Sequence, residues 1–282
     1  MLNYPAMPVK LTLLSAGYCN GQENHTLRNG RRVSRRYPAL FALLQHPTEG
    51  YILFETGYAR RFYDVTRYFP NRLYNLITPV TITEEETAVS KLSALGIQPQ
   101  QIRYVIVSHF HADHVAGTKD FPNARFICSE TACIFARNTR GLRALSAAYI
   151  PELLPDDFFD RTEILSPASA RYRYDEFWVE QYDLFGDGLL RMVPLPGHAR
   201  GQMGVLVQTA EREIFLAADV CWHSVSFRSM TLPPRTSGLI MDSWSDFVNS
   251  LTKVHHYHLT HLDTLIVPTH CQEIANFYNH TY

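Results

Sequence analysis

Apolar residues recur along this chain in two rhythms. Short dense runs occupy residues 9–14, 39–45 and 51–54, then 104–108, 190–195, 214–218 and 264–267. Their length, β-branched content and flanking turn residues predict strands. Residues 47–50 predict the turn between the second and third. Residues 83–95 carry a helical spacing instead. Ala88, Leu92 and Leu95 share one face, Thr83 and Glu86 have the spacing of a capping box, and Gly96 is placed to end the helix. That helix feeds the strand at 104–108, and a second helix over 243–258 feeds the strand at 264–267. Strands first, then helix and strand alternating, predict an α/β chain of two sheets with helices outside.

Residues 137–178 break the pattern. They hold Tyr149, Phe158, Phe159, Tyr172, Tyr174, Phe177 and Trp178, spaced by Pro151, Pro155 and Pro167. The stretch reads as a helical and loop subdomain inserted in a single domain over 1–282. Its aromatics either pack a satellite core or wall an apolar pocket. Tyr58, Phe62, Tyr63, Tyr68, Phe69 and Tyr74 form a second aromatic stretch, which admits another wall or a homodimer surface.

Composition narrows the function classes. The 282 residues are 46% hydrophobic with a net charge of −1, enough for a large core and no bulk case for nucleic acid or membrane binding. Basic charge is local: Arg28, Arg31, Arg32, Arg35 and Arg36 crowd one segment. That segment is either a solvated loop or a rim attracting anionic substrates or an acidic partner. The first ten residues lack the layout of a signal peptide, and no run has the apolar length of a membrane span. Cys19, Cys128, Cys133, Cys221 and Cys271 are odd in number and lack C-x-x-C spacing, so free thiols and a cytoplasmic setting are expected. Asn24-His25-Thr26 and Asn279-His280-Thr281 match the glycosylation pattern, which carries no weight in that setting.

The candidate chemistry sits at strand ends. His109-Phe110-His111-Ala112-Asp113-His114 follows the strand at 104–108 and packs three imidazoles and a carboxylate into six residues. These donors suit divalent transition metals and are better shared between two ions than crowded onto one. His198 (after Pro196-Gly197), Asp219 (after Ala217-Ala218) and His270 (after Pro268-Thr269) each follow a further predicted strand. Gly197 allows a tight turn where the ligand swings inward. His255, His256, His258 and His261 spread around a helix end and are expected to be solvated there, where histidine suits the negative pole.

With this set complete and in order, from about Val9 to His270, the chain resembles the dinuclear hydrolases of the metallo-β-lactamase superfamily. The resemblance implies an αββα four-layer sandwich. It assigns His109, His111 and His198 to one metal, Asp113, His114 and His270 to a second, and Asp219 to both. It implies two divalent ions, zinc first, with iron, manganese or cobalt admitted. In such a centre a bridging hydroxide attacks a substrate carbonyl and Asp113 carries the proton to the leaving group. Glu55 stands in Glu55-Thr56-Gly57 where relatives have an aspartate supporting the metal site from behind. Tyr37-Pro38, His46-Pro47 and Leu95-Gly96-Ile97 are similar to N-acyl homoserine lactonases, whose substrate-contacting tyrosine falls at Trp222, with His223 beside it as a second candidate contact. The expected function is therefore a lactonase acting on a small molecule. Thioester hydrolysis of the glyoxalase II type, phosphodiester hydrolysis, and a metal-bearing binding or regulatory role are the alternatives.

Overall fold

A computed structural model describes residues 7–277. The second glycosylation pattern, at Asn279, lies outside the described residues.

Thirteen strands build two sheets among the described residues. The first holds β1 (Lys10–Gln22), β2 (Ser34–His46), β3 (Gly50–Phe54), β4 (Val80–Thr81), β5 (Ile102–Ile106), β6 (Arg125–Ser129) and β7 (Thr162–Leu165), in the order β4-β1-β2-β3-β5-β6-β7. The second holds β8 (Tyr172–Asp175), β9 (Val179–Asp183), β10 (Leu190–Pro194), β11 (Met203–Gln208), β12 (Glu213–Leu216) and β13 (Leu265–Val267), in the order β13-β12-β11-β10-β9-β8. Strands β3, β5, β6 and β7 run parallel. So do β12 and β13.

Alternation within the strands sets the layers, because successive side chains point to opposite faces. Leu44 and Ile52 pack toward the second sheet with Met192, Val205 and Leu216. Their neighbours Leu43 and Leu53 pack outward with Leu92 and Ala132 from covering helices. Across the second sheet, Leu206 and Phe215 meet Phe247, Leu251 and Val254 of the long helix Trp244–Thr260. Each fully buried large side chain of this kind contributes roughly 1.5–3 kcal/mol. The result is the expected αββα sandwich.

Two local expectations need correction. The first predicted helix begins at Ala88, not near Thr83. The Thr83 N–H does donate to Glu86 Oε2 at 3.1 Å, but only within a turn. Thr87, a second good capping residue, accepts from the Ser90 N–H and starts the helix. Residues 137–178 are also more than helix and loop. They supply β7 to the edge of the first sheet and β8 to the edge of the second, and so carry the chain between the sheets. Tyr149 and Phe158 join the core behind the first sheet, and Trp178 joins the core behind the second, so these aromatics form no satellite core. Strands of only four residues, with Pro167 between them, leave too little alternation to read. Among the described residues, no helix is long and apolar enough to cross a membrane.

Candidate metal centre

The predicted site residues gather along one edge of the sandwich. Glu55 follows β3, His109 to His114 follow β5, His198 follows β10, Asp219 follows β12 and His270 follows β13. Several turns there use uncommon backbone: φ is +67° at Glu55, +46° at Ala218 and +124° at Gly197. Positive φ at non-glycine residues costs energy and persists only where the surroundings enforce it. At Gly197 a side chain is impossible, because a Cβ would fall 2.0 Å from the Phe247 nitrogen. The loop carrying His198 thus lies directly on the start of the helix Trp244–Thr260, and the Ser243 N–H donates to the Gly197 carbonyl at 2.9 Å.

Two donor clusters result, one of His109, His111 and His198, the other of Asp113, His114, Asp219 and His270, the donor atoms of each lying within 4.8 Å of one another. Asp219 joins them. Its Oδ2 is 3.3 Å from His198 Nε2 and 3.1 Å from His270 Nε2. Asp113 Oδ2 is 3.0 Å from His270 Nε2.

The donor set fits divalent ions. His109 Nε2, His114 Nε2 and Asp219 Oδ1 are buried without a protein hydrogen-bond partner. Buried polar atoms are rarely left so, and a cation would take their lone pairs. The other ring nitrogens are held from behind. His109 Nδ1 is 2.8 Å from Ser108 Oγ, and His270 Nδ1 is 2.8 Å from the Pro38 carbonyl oxygen. His114 Nδ1 is 3.0 Å from Glu55 Oε2. Such outer contacts fix the tautomer and aim the inner nitrogen. Glu55 is fully buried, and its Oε1 also accepts from the Ser108 N–H at 2.8 Å. The longer side chain therefore reaches the place expected of the aspartate.

Electrostatics separate the clusters. Burial, reinforced by neighbouring imidazoles, holds His109 well below the usual histidine range, His111 at about 3, and His198 low as well. These three are neutral and ready to ligate. Burial also opposes the charge on His114 and His270, but Glu55, Asp113 and Asp219 outweigh it and hold both well above the usual range. Burial pushes Asp113 up, yet His114 and His270 hold it at about 2, and Asp219 lies well below the usual carboxylate range for similar reasons.

Trp222 lies at the site. Its indole N–H donates to Asp219 Oδ2 at 3.2 Å, and its ring sits 5.0 Å from Tyr37 and 4.7 Å from His270. His223 turns to Thr26, with Nε2 at 2.8 Å from the hydroxyl, which in turn lies 2.7 Å from the Tyr37 hydroxyl. The later histidines form no cluster. His255 Nδ1 is 2.7 Å from the Phe227 carbonyl oxygen and His261 stacks on Tyr257.

Two cavities adjoin the first cluster. One of about 230 Å³ is lined by His111, His198, Phe110, Phe135, Ile240 and Met241. A narrow one of about 50 Å³ runs past His198, Asp219 and Trp222 to Ile240, Met241 and Phe247. The segment Leu239 to Met241 was not anticipated. Its one signal is an apolar run outside any strand or long helix, left 88% exposed at Leu239 and 70% at Ile240.

Fold and donor arrangement agree with one class, and the chain belongs to it: the metallo-beta-lactamase superfamily, whose model matches residues 37–221. Among curated relatives it is 27% identical to the N-acyl homoserine lactonase AttM of Azorhizobium caulinodans, over 80% of this chain and 81% of that one. Its fold matches that of an N-acyl homoserine lactone hydrolase solved with N-hexanoyl-L-homoserine at its catalytic metal centre, with a TM-score of 0.75, 19% identity and 96% of each chain covered. It also matches AidC, a dizinc quorum-quenching lactonase, with a TM-score of 0.64, 16% identity, and 95% of this chain and 90% of that one covered.

Proposed function

We propose that this protein is a dinuclear metal-dependent hydrolase that opens lactones of the N-acyl homoserine type, with zinc as the resident metal. The observation that carries this reading is the pair of donor clusters sharing Asp219 beside a partly apolar cavity. The similarity to AttM over most of both chains supports the substrate class, and the dizinc neighbour supports the metal.

His109, His111 and His198 would hold one ion, Asp113, His114 and His270 the other, and Asp219 both. When bound, the ions supply Lewis acidity toward the carbonyl and lower the pKa of water. The chain's own residues do the rest. Asp113, ionised over the working range, accepts a proton from the attacking water and returns it to the leaving alkoxide. Phe110, Phe135, Ile240 and Met241 take the acyl group. Trp222, its N–H already engaged by Asp219, meets the substrate through its ring face, while His223 orders the rim through Thr26 and Tyr37. The five buried free thiols favour a cytoplasmic setting. Exposed Tyr68, Phe69, Leu76 and Ile77 favour a homodimer.

The test is proton release from a long-chain N-acyl homoserine lactone by the metal-loaded protein, with a thioester and a phosphodiester alongside. Lactone opening that is lost on chelation is expected, and silence on the lactone with turnover of either other substrate overturns the assignment. Asp113→Asn should reduce lactone turnover by about 100- to 10,000-fold while the fold is kept. Survival of turnover would remove Asp113 as the proton carrier.

A further inference from the structure

The basic segment singled out in the sequence has a place in the fold that the lactonase reading does not use. Five arginines against Glu23 alone leave residues 23–36 at a formal +4 in a chain of net −1. The segment closes over the metal centre. Thr26 lines the narrow apolar cavity with His198 and Asp219. At its other end Arg35 and Arg36 line a separate cavity of about 330 Å³ together with Glu23, Trp222, His223, His270 and Gln272. That cavity adjoins the second donor cluster through His270, whereas the acyl cavity of about 230 Å³ adjoins the first through His111 and His198. Trp222 is the wall between the narrow apolar cavity and the cationic one.

Within this cavity the single acid neutralises Arg35 and leaves Arg36 as the uncompensated cation. Glu23 is consumed locally: it accepts from the Arg31 N–H at 2.8 Å and the Arg35 Nε–H at 2.9 Å, and pairs with Arg35 Nη2 at 2.8 Å. Arg36 lies over the Tyr18 ring at 4.9 Å, and among the described residues no carboxylate pairs with it. A guanidinium held by an aromatic face keeps its fork of donors available for a carboxylate. Ser34 and Gln272 add neutral hydrogen-bonding groups to the same walls.

We propose that this cavity is an anion subsite that takes a carboxylate carried by the leaving-group side of the substrate. It rests on the dinuclear hydrolase reading and adds to it: the acyl part lies toward the first cluster, and the departing alcohol, with its carboxylate, lies toward the second. The preferred substrates are then acidic esters or lactones, and a neutral lactone uses only half of the available recognition.

The test compares two esters on the metal-loaded protein, hexanoyl lactate and its methyl ester, which differ by one negative charge. Wild type should favour the acid in kcat/KM by about tenfold or more, the scale of one charge-assisted contact. That preference should fall with added salt and disappear in Arg35→Gln/Arg36→Gln. Equal turnover of the two esters by wild type, or a preference untouched in the double variant, overturns the subsite. Calorimetric binding of hexanoyl lactate to wild type and the double variant reads the subsite without turnover. If neither ester is hydrolysed while binding still depends on the arginines, the hydrolase reading fails on these substrates and the subsite stands. Ring-opened hexanoyl homoserine serves as a third ligand. An arginine-dependent affinity for it, with no preference between the esters, would assign the cavity to the product's carboxylate and overturn the substrate form of the proposal.

Discussion

Glu55→Gln isolates the contact that supports His114 from behind. The buried carboxylate accepts the Ser108 N–H at 2.8 Å through Oε1 and forms an ion-pair contact with His114 Nδ1 at 3.0 Å through Oε2. An amide of the same shape has only one acceptor oxygen. Its NH2 must then face either the Ser108 N–H or the His114 Nδ1–H, donor against donor, at a site that water does not reach. The backbone N–H cannot move without disturbing β5, so the loss falls on His114. One charge-assisted hydrogen bond is worth about 1.5–3 kcal/mol, which corresponds to about 10- to 100-fold in affinity for the second ion. The first cluster shares no contact with Glu55 beyond Ser108 and should hold its ion within about twofold. The assay is competition for metal with a chromophoric chelator, resolving both equivalents. Equal weakening of both ions, or of neither, would refute the account of Glu55.

Other predictions follow from the same geometry. Trp222→Phe keeps the ring between Tyr37 and His270 but removes the donor to Asp219 Oδ2, and should weaken metal retention by about tenfold. An unchanged chelator competition would deny that hydrogen bond any role. The clusters should also load at different pH. His109, His111 and His198 are already neutral, whereas His114 and His270 are protonated near neutral pH without metal, so the second equivalent should release protons and be lost first as pH falls. Two equivalents lost together would contradict this. In the metal-free protein the sign reverses. The raised pKa values of His114 and His270 contribute stability that is full below the ordinary histidine value and lost as pH rises through the raised ones. Thermal unfolding without metal should accordingly weaken on the alkaline side, and a flat or rising profile there would count against the protonated pair.

Much of this was legible because ligand chemistry uses few residue types and places them at strand ends. The seven donors are visible as His, Asp and His after apolar runs, and the fold brings all seven into two adjoining clusters. The layers are legible from element order, strands first and then helix and strand alternating, while β2, buried on both faces, shows as a continuous apolar run. Legibility fails where two residues satisfy one rule, as Thr83 and Thr87 both satisfy the capping rule. It fails for β7 and β8, too short to show a period. It fails for Trp222 and His223, adjacent in sequence, whose polar atoms go to Asp219 and to Thr26. The cavity wall at Leu239 to Met241 is apolar yet exposed, so no burial pattern marks it.

The most direct test of the central claim is a metal count. Purified protein saturated with zinc and freed of excess should carry two ions per chain, falling to one in His270→Ala. Lactone opening should track the second ion. One ion per unaltered chain with undiminished lactone opening, or two ions retained in His270→Ala, would contradict the dinuclear account.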